Sequence, residues 1–245
     1  MRFADAFERI FPAPDAEEAG FYGALLRGVP AGARALDLGC GRGRLAGVFP
    51  LGVRATGCDL GADWLAPAAG RYSGAVLGDM RGLPFRDGIF RGAVSGLLVL
   101  NHAGSAEGFL TALRECARIL APGGTLVAEI AAARAPRSLQ GLAETHEGAD
   151  GARFHFRYAD ALASDERGAT LRAGIDIDLP EGSASEDFDL FVPALGALPG
   201  TLAEAGLALE ALFAPHDLSS RTLEPPHDCL RAVLLARRGA TFPVP

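Results

Sequence analysis

The stretch Leu36-Asp37-Leu38-Gly39-Cys40-Gly41-Arg42-Gly43 decides the fold. Its apolar start, within residues 34–38, reads as a short strand, and three glycines at every second position follow it. Glycine tolerates positive φ and lets backbone come close to a bound group. A strand feeding such a loop, with a helix behind it (expected over residues 43–49), presents backbone N–H groups to a polar or anionic cofactor. The spacing Gly39-x-Gly41-x-Gly43 differs from the GxGxxG of dinucleotide sites, and no Gly-Lys-Ser/Thr follows, which excludes a P-loop. Taken alone, the loop identifies a nucleotide-like cofactor and no more.

Working outward, strand and helix alternate. Strands are expected over residues 53–58, 74–77, 92–100 and 125–131, and helices over 62–69 and 106–120. The last helix places Phe109, Leu110, Leu113, Ala117 and Leu120 on one face, and Ala121-Pro122-Gly123-Gly124 stops it. Such βα units imply a parallel sheet covered by helices on both faces. On the N-terminal side, Phe3, Phe7, Ile10 and Phe11 sit at helical spacing, Pro12 and Pro14 end that helix, and Asp15 is placed to cap a second one reaching residue 27. Beyond residue 133 the period drops to two. Phe154, Phe156 and Tyr158, then Ile175, Ile177 and Leu179, then Phe188, Leu190 and Val192 alternate with polar residues, an antiparallel meander. A helix over 199–205 and strands over 207–213 and 230–236 close the chain. The expected division is a helical lid (1–32), an α/β cofactor core (33–133), a β insertion over the substrate site (134–195), and the closing helix and strands (196–245).

Two acids refine the loop. Asp59 ends the second strand, where a carboxylate can accept hydrogen bonds from both ribose hydroxyls of an adenosine or else cap the next helix. Gly78-Asp79-Met80 follows the third strand; the acid is placed to meet an adenine amino group and the thioether to lie against the ring, the alternative being a plain turn.

Composition narrows the classes. The chain has 245 residues, 49% of them hydrophobic, enough for one generous domain or one domain with an insertion. Its formal net charge is −7, and all of its formally charged basic side chains are arginines. Non-specific nucleic-acid binding rests on cations that neutralise phosphates, so no nucleic-acid partner is expected. Cys40, Cys58, Cys116 and Cys229 form no CxxC pair and no cluster with zinc spacing, so no metal is expected, and reduced thiols suit a cytoplasmic protein. No run reaches the apolar length of a membrane span.

The set of motifs resembles the class I methyltransferases, which use S-adenosylmethionine. The glycine stretch is similar to their first motif, Asp59 to their ribose-binding acid, and Gly78-Asp79-Met80 with Leu83-Pro84-Phe85 to the segment after their third strand. Residues 113–127, LRECARILAPGGTLV, resemble their helix, turn and fifth strand. The likeness covers about residues 33–131. One departure is Phe90-Arg91, where many relatives have Phe-Asp. The resemblance implies a doubly wound, mostly parallel seven-stranded Rossmann-like sheet whose last strand is antiparallel. It implies S-adenosyl-L-methionine as cofactor, held by Asp37, Gly39, Cys40, Gly41, Gly43, Asp59, Leu60, Asp79, Met80, Gly96 and Leu97. More loosely, Ser95 to His102 and the meander resemble small-molecule N-methyltransferases of the glycine and aminosugar type, which implies a small-molecule acceptor and a monomer or homodimer.

In that family the methyl group moves by direct displacement, and the protein supplies alignment. His102 is the candidate catalytic residue, as a general base or as a group that positions ligands. Phe154, Phe156 and Tyr158, with His155 among them, either wall the acceptor site or pack the meander; His146, His216 and His227 are expected in exposed loops, and Arg44 and Glu129 in structural roles. The competing classes are an NAD-type oxidoreductase, which the glycine spacing opposes, and a cofactor-binding protein without catalysis. An RNA methyltransferase is opposed by the acidic balance and by the lack of an Asn-Pro-Pro-Tyr-like tetrapeptide after the fourth strand.

Overall fold

Short runs of branched and small apolar residues, all but the last ending at a glycine or an acid, build the centre of the molecule. In the computed structural model, which describes residues 2–147, 151–223 and 231–239, these runs are β1 (Arg34–Leu38), β2 (Arg54–Asp59), β3 (Gly74–Leu77), β4 (Phe90–Ser95) and β5 (Leu120–Ile130). Helices α1 (Phe3–Ile10) and α2 (Ala16–Leu26) precede them, α3 (Ala62–Ala68) follows β2, and α4 (Ala106–Ile119) precedes β5. Strands β6 (Ala143–Glu147), β7 (Arg153–Asp165), β8 (Gly168–Leu179) and β9 (Gly182–Pro193) form a second sheet. Helix α5 (Leu198–Glu204), β10 (Leu207–Phe213) and β11 (Ala232–Arg238) complete the first.

The first sheet runs β10-β11-β5-β4-β1-β2-β3. Strands β1 to β5 run parallel, while β11 pairs antiparallel with both β5 and β10. The chain starts at β1, winds outward through β2 and β3, then returns to the other side at β4. A crevice opens outside the carboxyl ends where strand order reverses, between β1 and β4.

Alternation on β1 shows how the two faces are filled. Leu36 and Leu38 join Phe90, Phe109, Leu113 and Leu126 under α4 and α5. Ala35 faces the other way, with Phe21, Tyr22, Leu26, Val94 and Phe213 under α2. Both long helices start on a side-chain cap, Asp15 accepting from Glu18 N at 2.9 Å and Ser105 from Gly108 N at 3.0 Å.

The second sheet is antiparallel, in the order β6-β7-β8-β9. Tyr158, Leu171, Ala173 and Leu190 pack it onto Leu98, Ala131 and Leu139 of the main body. Phe154, Ile175, Ile177 and Leu179 meet Ala6, Phe3, Phe7 and Phe11 of the N-terminal segment. Its outer face is charged, with Arg157 bridging Asp176 and Asp187.

Several expected boundaries are corrected. No α-helix follows the glycine loop: residues 43–49 form turns with one 3-10 turn at Ala46–Val48, because Gly43 at φ +90° opens the chain and Pro50 closes it. The fourth strand stops at Ser95 rather than residue 100, since Leu97 and Leu98 turn left-handed and a 3-10 turn follows at Val99–Ala103. The fifth strand starts earlier, at Leu120. Strand β6 was not foreseen; its Ala-Glu-Thr-His-Glu has no apolar period, and pairing with β7 alone defines it. The last strand is Ala232–Arg238; residues Leu230, His227 and Cys229 lie outside the described ones. Among the described residues, no helix is long and apolar enough to cross a membrane.

Candidate functional site

A cavity of about 600 Å³ lies between the carboxyl ends of β1, β2 and β4 and the inner face of the second sheet. Asp37, Gly39, Cys40, Gly41, Asp59, Leu60, Asp79, Met80, Gly96, Leu97 and His102 all line it. Gly43 does not: it faces Arg71, and a Cβ there would come within 2.9 Å of that side chain.

At the floor, Asp37 is buried at the end of β1. One carboxylate oxygen accepts from the Tyr72 hydroxyl, and the other, Oδ1, has no partner. Burial pushes this acid up to about 7, opposed by the Tyr72 hydrogen bond and assisted by the charge of Asp59. Asp59 ties two loops together, accepting from Gly41 N at 2.8 Å and Gly61 N at 2.9 Å. Gly39 (φ +68°) and Gly41 (φ +50°) are left-handed. A Cβ on Gly39 would come within 2.4 Å of the Val99 methyls, so the loop rests directly on the turn after β4. Asp79 is held by Arg81, whose guanidinium donates at 2.7 to 3.2 Å and keeps the carboxyl below the usual range. Trp64 stands edge-on to Phe7, with ring centres 5.6 Å apart. Burial pushes the Cys58 thiol up to about 12 and the Cys40 thiol higher still, so both are inert.

The turn after β4 is the most strained part of the floor. Leu97 (φ 48°) and Leu98 (φ 62°) are left-handed without being glycine, each at a cost of roughly 1–3 kcal/mol. Two side chains hold them there. Glu129, buried on β5, accepts from Leu97 N at 3.0 Å. Asn101, fully buried, donates to Ala131 O at 2.8 Å and Phe191 O at 2.7 Å and accepts from Ala131 N at 3.0 Å. From the sequence, Glu129 is expected in a structural role and Asn101 is assigned none. The signal available was a polar residue inside an apolar run in each case, Asn101 after Leu97-Leu98-Val99-Leu100 and Glu129 within Leu126-Val127-Ala128 and Ile130.

His102 follows in the 3-10 turn and stacks on Phe188 with ring centres 4.4 Å apart. It lines the cavity and keeps an exposed surface, and the protein packed around the ring lowers its pKa to about 4 by desolvation, so the ring is neutral at neutral pH.

Strand register builds the roof. Phe156 pairs with Glu144 on one side and Ile175 on the other, and Ile175 with Glu186. Phe154 sits beside His146 and Ile177 in the next row, and Phe11 meets it edge-on at 4.9 Å. The expectations for three histidines change here. His155 points to the opposite face, where Thr145 meets its Nδ1 at 2.8 Å, because side chains alternate along a strand. His146 lies on β6 and lines the cavity rather than sitting in a loop. His216 packs against Phe21 and Tyr22 and lies 3.4 Å from Glu18. At the side wall, Glu129 also binds Arg231, with Nε at 2.8 Å, and Glu18 binds Arg44 in bidentate fashion.

The donor set fits an adenosine-bearing cation with an amino-acid tail. The unpartnered Oδ1 of Asp37 is a buried acceptor, Asp59 keeps lone pairs beyond its two backbone bonds, and the left-handed glycines leave backbone exposed to the cavity.

Residues 36–128 match the family described as Methyltransferase domain. A mouse protein, tRNA (carboxymethyluridine(34)-5-O)-methyltransferase, is 32% identical over 100 residues, 41% of this chain; that match spans only 15% of the mouse protein. The fold is similar to that of an S-adenosylmethionine-dependent methyltransferase from Clostridium acetobutylicum, with a TM-score of 0.73 at 13% identity, covering 97% of this chain and 98% of the other. It is also similar to an amino pentose methyltransferase from Micromonospora echinaspora, solved with S-adenosylmethionine bound, with a TM-score of 0.65 at 21% identity and 97% of both chains covered. Residues 36–128 thus match a methyltransferase-domain family, and they lie in the Rossmann-like seven-stranded sheet seen in these S-adenosylmethionine-dependent methyltransferases.

Proposed function

We propose that this protein transfers a methyl group from S-adenosyl-L-methionine to a nitrogen or oxygen of a small-molecule acceptor. The observation that carries the reading is one continuous cavity whose floor bears Asp37, Asp59 and Asp79 and whose roof bears Phe154, Phe156 and Tyr158. Its volume is within the range of small-molecule sites, roughly 300–1,000 Å³. The cofactor supplies an electrophilic methyl on a sulfonium. The acceptor's lone pair forms the new bond as the carbon–sulfur bond breaks, S-adenosylhomocysteine leaves, and the acceptor's proton passes to solvent or to a neighbouring group.

The residues have distinct parts in this reading. Asp59 and Asp79 hold the adenosine, Asp37 takes the amino group of the tail, and Gly96 with Leu97 sets the depth of the reacting centre. His102 is neutral and accepts a hydrogen bond from the acceptor. With a pKa near 4 it is a weak proton acceptor, so its weight is in positioning. Residues 1–32 act as the lid and 134–195 as the cover over the acceptor.

The tRNA reading is favoured by the name of the mouse relative, whose match leaves more than half of this chain uncovered. The small-molecule reading has the roofed cavity, the net charge of −7 and the amino pentose methyltransferase as structural neighbour on its side. Calorimetric titration with S-adenosylhomocysteine against NADH tests the donor: tight binding of the first and none of the second is expected, and the reverse sinks the proposal. Methyl transfer from labelled donor to a panel of small amines and alcohols, run beside bulk tRNA, tests the acceptor; label in tRNA alone sinks its small-molecule part.

A further inference from the structure

The row Glu144–Phe156–Ile175–Glu186 crosses the roof from edge to edge. All four side chains line the cavity. Aromatic rings crowd around the row: Phe156 lies 4.9 Å from Tyr158 and 6.2 Å from Phe188, and Phe188 carries His102 at 4.4 Å. Ring faces bear the negative part of the aromatic quadrupole and attract cations.

The charges of this end of the cavity point the same way. Arg231 is matched by Glu129 and Arg44 by Glu18. His102 is neutral. Glu144 has His146 at 3.7 Å. Glu186 has no hydrogen bond or ion pair among the described residues, and burial raises its carboxyl above the ordinary range. Three strand spacings separate Glu144 from Glu186, about 14 Å between backbones, so one small cation cannot touch both. Glu186 is the open carboxylate, and it stands beside the rings.

We propose that the acceptor carries a basic nitrogen bound as a cation by Glu186 against Phe156 and Phe188, and that this nitrogen is not the atom methylated. The proposal rests on the methyl-transfer reading above. A nitrogen held as a cation has no lone pair to give to the methyl carbon. It anchors the acceptor at the roof, while a second nitrogen or an oxygen reaches the floor near Leu97 and His102. The acceptor class is then an amino alcohol or a diamine, with Glu144 adding a longer-range field.

The test uses two probes of the same shape that differ in charge, choline and 3,3-dimethylbutan-1-ol, titrated calorimetrically into the protein saturated with S-adenosylhomocysteine. Choline is expected to bind at least about tenfold more tightly than the neutral alcohol, a difference of about 1.4 kcal/mol. Glu186→Gln removes that advantage, leaves the alcohol unchanged, and leaves S-adenosylhomocysteine affinity within about twofold. Phe156→Leu, which keeps an apolar side chain but removes the ring, weakens choline alone. Equal binding of the two probes, binding of neither, or an unaltered preference in Glu186→Gln overturns the proposal. Failure of S-adenosylhomocysteine to bind the wild-type protein counts against the methyl-transfer reading instead.

Discussion

The floor and the roof of the cavity are built in opposite ways. The floor places its acids by backbone: Asp37 and Asp59 stand at the ends of adjacent parallel strands, and the glycine loop between them is held by Asp59 itself. The roof places its rings and carboxylates by register alone, with Phe156, Ile175 and Glu186 brought level by pairing of three antiparallel strands. A floor of this kind depends on a few irreplaceable backbone conformations. A roof of this kind can change its side chains without changing its strands, which suits a part that selects among acceptors.

Glu129 is the place to break the floor, because the same carboxylate also anchors the side wall beside it. It holds Leu97 N in the floor and Arg231 in the side wall. Glu129→Ala takes the carboxylate from the left-handed Leu97 amide and from Arg231, whose side chain is 38% exposed, with an expected loss of about 1.5–3 kcal/mol in urea unfolding; a loss under about 0.5 kcal/mol would show that the floor and the side wall stand independently of this carboxylate. Asp59→Ala sharpens the comparison from the floor side. Removing the charged acceptor frees Gly41 N and Gly61 N and any ribose contact, so S-adenosylhomocysteine affinity should fall on the order of 100-fold. Trp64 is the only tryptophan of the chain and lines the cavity, so its fluorescence reports the titration. An unchanged affinity would remove Asp59 from the donor site.

Smaller effects are expected where the backbone tolerates some movement. Gly39→Ala adds a methyl against Val99 in a left-handed residue, and should cost about 2 kcal/mol of stability. Gly28, which has nothing within 4 Å of an added Cβ and no positive φ, is the control, and equal effects at both positions would discredit the close-packing account. The smallest effect is in pH dependence. Burial lowers the pKa of His102 from 6.5 to about 4, so the fold favours its neutral form. The unfolded chain therefore binds more protons in that window, and stability from this group, complete above about 6.5, is lost as pH falls toward 4. His102→Gln should flatten that part of a stability-versus-pH curve, and an unchanged slope would remove His102 as its source.

The floor was legible in the sequence because each of its parts has a local cause. Gly39 and Gly41 are read from their conformational freedom, and Asp59 and Asp79 from their place at strand ends. What was misread there, the helix after Gly43 and the length of the fourth strand, depends on contacts from elsewhere: Val99 against Gly39, and Glu129 against Leu97. The roof was legible only as a period of two. Its aromatic face could be listed from Phe154, Phe156 and Tyr158, but His155 was counted with them although alternation sends it outward. Strand β6 has no apolar period of its own, so Glu144 and His146 became cavity residues only through pairing with β7.

By itself, the sequence determined a parallel βα sheet with a glycine loop and acids at consecutive strand tips, and so the kind of cofactor crevice this protein has. Local backbone chemistry carries that information. Tertiary structure alone decided which residues oppose the crevice: Glu186, Phe188, Glu144 and Arg231 come from three separate segments, far along the chain from Gly39, and meet over it. Their meeting depends on strand register and on the buried Glu129 and Asn101 bonds, long-range contacts that no local pattern of residues encodes.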